Sequence, residues 1–185
     1  MSLTKTPICD FGKKAENFEL KSVEKKIVSL NDIKGKNGTL IMFICNHCPY
    51  VKAVINDIVN DSNILKKKGI NFVAIMSNDT KNYPEDSFEN MIKFSKKNNF
   101  NFPYLIDETQ EVAKAYGAVC TPDFFGYNNN LELQYRGRIR ELRELKPVKD
   151  GNSDLLNAMQ MVAQTGKGPK DQIPSMGCNI KWLNK

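Results

Sequence analysis

The sequence predicts an α/β fold: a central mixed β-sheet flanked by helices, with an N-terminal β-hairpin and a C-terminal tail. Three observations predict it. Two short continuous apolar runs, TLIMFI (residues 39–44) and INFVAIMS (residues 70–77), have the pattern of strands buried on both faces. A helical apolar spacing lies between them. Further strand and helix signals alternate after them, which implies parallel strands joined by right-handed crossovers and covered on both sides.

The elements follow in order. FELKSVEKKIVSLNDIKGKNG alternates apolar and polar residues around a charged turn, a short hairpin ending at Gly35 to Gly38. After the strand at 39–44, Val51, Val54, Ile55, Ile58, Val59 and Leu65 keep helical spacing over residues 50–68, with Gly69 as C-cap. The strand at 70–77 leads to the loop NDTKNYPED, in which Pro84 is expected to open a helix reaching about Asn98. FPYLID (residues 102–107) reads as a third strand, and ETQEVAKAYG as a short helix stopped by Gly117. Strands at 123–127 and 131–138 flank the turn NNN as a β-hairpin. Ser153 caps a helix to about Gln164. The remaining segment is Gly/Pro-rich and turns apolar again at Ile180 and Trp182, so it is expected to dock on the body. The expected organisation is one domain, residues 1–165, with residues 166–185 packed on it as a tail.

Composition narrows the function classes. A chain of 185 residues with 41% hydrophobic and 26% charged residues suits one globular core and argues against disorder. No apolar run approaches the ~20 residues of a membrane span. The start, MSLTKTPICDFGKK, lacks the apolar centre of a signal peptide, so the expected location is the cytoplasm, or the periplasm or exterior where a leader has been removed. The net charge of +6 comes from scattered lysines without interleaved aromatics. That is a solvated surface, and no nucleic-acid partner is expected. The five cysteines are Cys9, Cys45, Cys48, Cys120 and Cys178. They do not resemble the dense disulfide framework of a small secreted domain.

The chemistry centres on Cys45-Asn46-His47-Cys48-Pro49, between the first buried strand and the following helix. Backbone N–H groups and the dipole at a helix start stabilise a thiolate, and two intervening residues let two sulfurs approach. One thiol attacks a disulfide and the second resolves the mixed disulfide. His47 adds positive charge nearby, or is a solvated loop residue. No second C-x-x-C and no other histidine is present, which disfavours a four-ligand zinc site. The segment CTPDFF (residues 120–125) places Thr121-Pro122 ahead of a strand, a setting suited to a cis peptide. Cys120 is expected near the pair, as packing or as a third redox thiol. Asp123 is a candidate proton acceptor or a solvated strand-edge residue. Tyr50, Phe124 and Phe125 are candidates for an apolar substrate rim, with at least one phenylalanine in the core.

C-x-x-C at a strand–helix junction and Thr-Pro entering a hairpin resemble the thioredoxin superfamily. AENFELKSVEKKIVSLNDIKGK, SND after the second strand and YLIDETQEVAKAYGAVCTPDFFGYN resemble its redoxin branch, which holds the AhpC/TSA-type peroxiredoxins and the ResA/TlpA-type thiol–disulfide oxidoreductases. The likeness covers about residues 11–140. It is greatest to uncharacterised bacterial thioredoxin-like proteins with CNHCPYV and a GC-x-IKW tail. The resemblance implies a thioredoxin-like fold with Cys45 attacking, Cys48 resolving and Pro122 as the cis-proline. It implies a protein or small-molecule disulfide or dithiol as substrate, a thioredoxin-type reductant, and no cofactor or metal.

Pro49 points to a different polarity. Proline fits the first helical position and is costly deeper in. A helix starting near Cys48 would give the dipole's benefit to Cys48. That is the peroxiredoxin arrangement, with Cys48 as peroxidatic and Cys45 as resolving thiol. Arg138 is the candidate arginine, although Arg136 and Arg138 both also suit a plain surface. Cys178 is a candidate distal resolving thiol, and Cys9 looks incidental. A non-enzymatic alternative is a Sco-like copper-binding protein, but that group places three residues between its cysteines and uses a distant histidine.

Overall fold

The structure, a computed structural model, describes residues 2–183. Residue 1 and the last two residues of the expected tail lie outside them. The elements are β1 (Leu3–Lys5), β2 (Glu19–Ser22), β3 (Ile27–Ser29), α1 (Leu30–Ile33), β4 (Gly38–Phe43), α2 (Pro49–Lys66), β5 (Ile70–Met76), a 3-10 turn (Pro84–Asp86), α3 (Phe88–Lys97), β6 (Tyr104–Ile106), α4 (Glu111–Tyr116), β7 (Cys120–Thr121), β8 (Asp123–Tyr127), β9 (Leu133–Tyr135), β10 (Leu142–Arg143), β11 (Lys146–Pro147), α5 (Asp154–Thr165) and β12 (Met176–Asn179).

Seven strands form the central sheet in the order β3-β2-β6-β5-β4-β8-β9. β4 pairs in parallel with β5, and β5 with β6; the other neighbours are antiparallel. The apolar runs alternate across the sheet because strand side chains point to opposite faces in turn. Leu40, Met42, Phe72 and Ala74 join one core with α2 and α5, while Ile41, Phe43, Val73 and Ile75 join a second with α1 and α4. Both layers are therefore written into two six- or seven-residue strands, whose continuous hydrophobicity reflects burial on both sides.

Local signals place most boundaries. Gly117 ends α4 in the left-handed conformation at φ 66, where glycine avoids the Cβ penalty. The Ser153 hydroxyl accepts a 2.9 Å bond from the Leu156 N–H and caps α5. Two expectations are corrected. Pro84 opens only the 3-10 turn; α3 begins after Ser87, whose hydroxyl caps the new helix by accepting from the Asn90 N–H. The strand expected over 131–138 is confined to Leu133–Tyr135, because Leu131 sits in a left-handed turn at φ 57.

The tail docks through a device the sequence does not announce. β12 lies between β1 and β7 in a separate three-stranded sheet, with Cys178 opposite Thr121 and Leu3. Ile180 enters the second core, while Trp182 stays 39% exposed. Gln110 fastens the end of the chain: its amide donates to the Lys181 carbonyl and its carbonyl accepts from the Leu183 N–H, each at 2.8 Å. Among the described residues, no helix is long and apolar enough to cross a membrane.

Gly177 allows β12 to approach this closely. A Cβ there would lie 2.0 Å from the Thr121 carbonyl oxygen and 3.2 Å from Pro122 Cδ, and backbone cannot yield as a flexible side chain would. Gly177→Ala is expected to cost about 1–3 kcal/mol by overpacking and to loosen residues 173–183. Thermal unfolding and amide exchange of β12 check this; an unchanged melting temperature with intact protection would refute it.

Candidate functional site

β4 delivers Cys45 to the C-terminal edge of the sheet, where the Ile44 N–H still bonds the Ile75 carbonyl at 3.0 Å. The chain then turns through Asn46 and His47 to Cys48. Cys48 is the N-cap of α2, with extended backbone (φ −62, ψ 122), and Pro49 is the first helical residue. The Cys48 carbonyl accepts the first intrahelical bond, from the Lys52 N–H at 3.0 Å. Pro49 therefore removes no helical hydrogen bond, and the open N–H groups of the first turn face Cys48.

The two thiols are closed off, Cys45 at 1% and Cys48 at 0% exposure. Cys45 Sγ lies 3.4 Å from the Thr121 hydroxyl and 3.9 Å from His47 Nδ1. As a thiol, Cys48 donates to the Thr121 carbonyl at 3.1 Å. The Thr121–Pro122 peptide is cis. As a thiolate, Cys48 is favoured first by the Cys45 thiol, then by the Cys178 N–H and the Thr121 side chain. These donors outweigh desolvation and hold Cys48 at about 5, well below an ordinary thiol. Cys45 moves the opposite way: its proton is held in the bond to Cys48, burial disfavours its charge, and the nearby Asp86 carboxylate repels it. The shifts run in opposite directions, and the thiolate is favoured at Cys48, the sulfur at the helix start.

Beneath the turn lies Asp86, the last residue of the segment NDTKNYPED that the sequence reads as a loop. Its side chain is wholly buried. Oδ1 accepts from the Asn46 and His47 N–H groups at 2.8 and 3.3 Å, and Oδ2 from Asn78 Nδ2 and His47 Nδ1 at 2.8 and 2.7 Å. Despite burial, these donors keep its carboxyl below the usual range. Tyr104 holds Asn46 through a 2.9 Å hydroxyl bond. Asn78 also accepts from the Lys181 N–H at 2.9 Å, which ties the tail to the same network. His47 stacks on Tyr83 with ring centres 5.7 Å apart and is only 13% exposed at its side chain, so it is not a solvated loop residue.

The remaining candidates separate. Cys178, in β12, reaches the site: its thiol hydrogen-bonds with Cys48. Cys120 is buried behind Pro122, 3.7 Å from that residue's carbonyl, with its thiol pushed strongly upward by burial. Asp123 is neither solvated nor turned to the sulfurs. It is fully buried and paired with Arg136 at 3.0 Å, which also corrects the surface reading of Arg136. Arg138 is held by Asp154 at 2.6 Å and lines the groove beside Pro122. Phe124 and Phe125 are buried in opposite cores, so neither forms a rim. Tyr50 does line a groove of about 230 Å³ with Pro122, Val54, Ile139 and Met176, and Lys5 stands at its edge. Cys9 is half-buried away from the pair, where desolvation raises its thiol to about 11.

Cys45, His47 and Asp86 bring one donor atom each within 4.8 Å of one another. A metal there would have to displace the His47–Asp86 hydrogen bond, since both Asp86 oxygens are already filled by N–H donors. The donor set fits a positioned histidine better than a ligand cage.

Because His47 is the chain's only histidine, its ring resonance reports the network directly. The Asp86 hydrogen bond raises its pKa above 6.5 against the opposing effect of burial. The ion pair therefore stabilises the fold fully below the unfolded value, and the contribution is lost as pH rises through the raised folded value. NMR titration of His47 is expected to show a midpoint above 6.5, and Asp86→Asn is expected to lower it. The same midpoint in both proteins would contradict the pairing.

The chain is similar to several known proteins. A ResA thiol–disulfide oxidoreductase from Bacillus thuringiensis subsp. konkukian is 30% identical over 125 residues, 66% of each chain. The chain thus spans just under two thirds of that curated relative's length. Among solved structures, an uncharacterised conserved protein from Geobacillus kaustophilus superposes with TM-score 0.94 at 43% identity, covering 100% of this chain and 98% of that one. A hypothetical protein from Sinorhizobium meliloti 1021 gives 0.90 at 34%, covering 98% and 100%. The α/β architecture is thioredoxin-like. Residues 11–142, which carry β4, the cysteine turn and the cis-proline, match the AhpC/TSA family model, and the chain belongs to that family.

Proposed function

We propose that this protein is a thiol–disulfide oxidoreductase that cycles Cys45 and Cys48 between dithiol and disulfide. The observation that carries the reading is the adjacent buried thiol pair at the start of α2, with Cys48 as the helix N-cap beside the cis Thr121–Pro122 peptide. The Cys48 thiolate attacks one sulfur of a substrate disulfide, and the other substrate sulfur leaves as a thiolate. Cys45 then attacks the Cys48 sulfur, loses its proton to the departing thiol and closes the Cys45–Cys48 disulfide. The substrate gains two electrons and the protein loses two; a thioredoxin-type dithiol reverses the change. Both sulfurs are covered, so substrate entry requires a neighbouring segment to move. The groove beside Pro122 and Tyr50 suits an apolar stretch of a protein substrate. The similarity to ResA proteins supports the same reaction class.

The lowered pKa of Cys48 also favours a second reading, peroxide reduction with a sulfenic acid on Cys48 that Cys45 resolves. The hydroxyl nearest the pair belongs to Thr121 and lies by Cys45.

Two measurements test the assignment. Cys45→Ser and Cys48→Ser are each expected to reduce turnover of a protein disulfide to the uncatalysed rate; full activity in both would overturn it. Site-resolved alkylation against pH is expected to show Cys48 reacting as a thiolate below the ordinary thiol range in Cys45→Ser, whose serine still donates to Cys48. In Cys48→Ser, Cys45 is expected to react only at or above that range. The reverse order would move the nucleophile to Cys45. Peroxide consumption by the wild type, with sulfenate on Cys48 in Cys45→Ser, would favour the second reading.

A further inference from the structure

We propose that Cys178 is a third redox thiol that exchanges with Cys48, so that the protein carries two alternative disulfides, Cys45–Cys48 and Cys48–Cys178, on one shared sulfur. This rests on the thiol–disulfide reading above and adds a partner to it.

The placement comes from strand pairing. β12 and β7 are antiparallel, with Cys178 opposite Thr121. Residues directly opposite in such a pair present their side chains to the same face. Thr121 sends its hydroxyl to Cys45 at 3.4 Å and its carbonyl receives Cys48 at 3.1 Å. Its cross-strand neighbour Cys178 shares a hydrogen bond with Cys48 through its thiol, and its N–H bonds the Cys48 sulfur. Cys45, Cys48 and Cys178 belong to one buried cluster. Gly177, next in line, lets the two backbones meet closely enough for this. Cys120 is the natural control: it sits in the paired strand β7, yet its thiol bonds the Pro122 carbonyl instead.

Cys178 is also the least covered of the three, at 5% against 1% for Cys45 and 0% for Cys48. Its thiol lies at about 11, raised by burial and by the neighbouring Cys48, so it holds its proton until exchange begins. In the exchange, the Cys178 sulfur attacks Cys48 within the Cys45–Cys48 disulfide. The Cys48–Cys178 bond forms, the Cys45–Cys48 bond breaks, and the proton passes from Cys178 to the departing Cys45 sulfur. No electrons enter or leave. The result carries the disulfide from the most enclosed pair to the central strand of the small sheet and ties β12 to the start of α2.

Trapping tests this. Folded Cys45→Ser protein is treated with oxidised glutathione, quenched in acid and mapped by mass spectrometry without reduction. Cys48 attacks glutathione disulfide and releases one glutathione; Cys178 then displaces the second. The expected product is an internal Cys48–Cys178 disulfide. A lasting glutathione adduct on Cys48, or a Cys48–Cys120 disulfide, would overturn the proposal. If circular dichroism shows that the variant does not fold, the wild type equilibrated in glutathione redox buffers decides. A Cys48–Cys178 population beside Cys45–Cys48 is then expected, and Cys45–Cys48 alone at every ratio would overturn it. Wild type that forms Cys45–Cys48 while the variant keeps its adduct removes the role of Cys178 only. Wild type that forms no internal disulfide removes both readings.

Discussion

The buried carboxylate of Asp86 is the constraint on which the site depends. A charge taken out of water costs several kcal/mol unless its acceptor positions are filled. Here both oxygens are filled, by the Asn46 and His47 N–H groups, His47 Nδ1 and Asn78 Nδ2. Satisfying Asp86 therefore dictates the shape of the two-residue turn between the cysteines and the orientation of the histidine within it. Through Asn78 the same carboxylate is linked to Lys181 and so to the tail. Turn, imidazole and chain end are all positioned by one group's need for donors.

The electrostatics of the thiols follow from that frame. The hydrogen bond to Cys48 and burial raise the Cys45 pKa, and the negative charge of Asp86 adds to this, while the surrounding donors lower that of Cys48. Burial opposes a thiolate at either sulfur. What separates them is the direction of the hydrogen bond between them and the N–H group of Cys178 beside Cys48. The polarity that Pro49 suggested from backbone stereochemistry agrees with the electrostatics: Cys48 caps α2 and Pro49 occupies the first helical position. His47, whose pKa is raised by its hydrogen bond to Asp86, is held beside the pair by that carboxylate rather than by the sulfurs.

The two sheets share the work of building this site. The large sheet sets where Cys45 emerges, because β4 is central and covered on both faces. The small sheet sets what lies over Cys48, because β12 fills the edge of β7 beside the cis-proline. The approach of β12 leaves no room for a side chain at Gly177. The same contact brings a third cysteine from the far end of the chain against the pair.

The sequence by itself determined what local rules control. Continuous apolar runs marked β4 and β5, helical spacing marked α2, Gly117 ended α4, Ser153 capped α5, and Pro49 located the start of the active helix. Each of these depends on neighbours within a few residues. The tertiary structure decided the rest. β1, β7 and β12 are strands of two to four residues whose hydrogen bonds come from partners far along the chain, so they have little periodicity to read. Asp86, Asp123 and Arg136 look like solvated charges until the fold removes water and supplies their partners. Cys178, 130 residues from Cys48 along the numbering of the chain, reaches it only because β12 pairs with β7. A motif names its sulfurs through local order, but the groups that set their charge and their partners are chosen by non-local pairing in a desolvated interior.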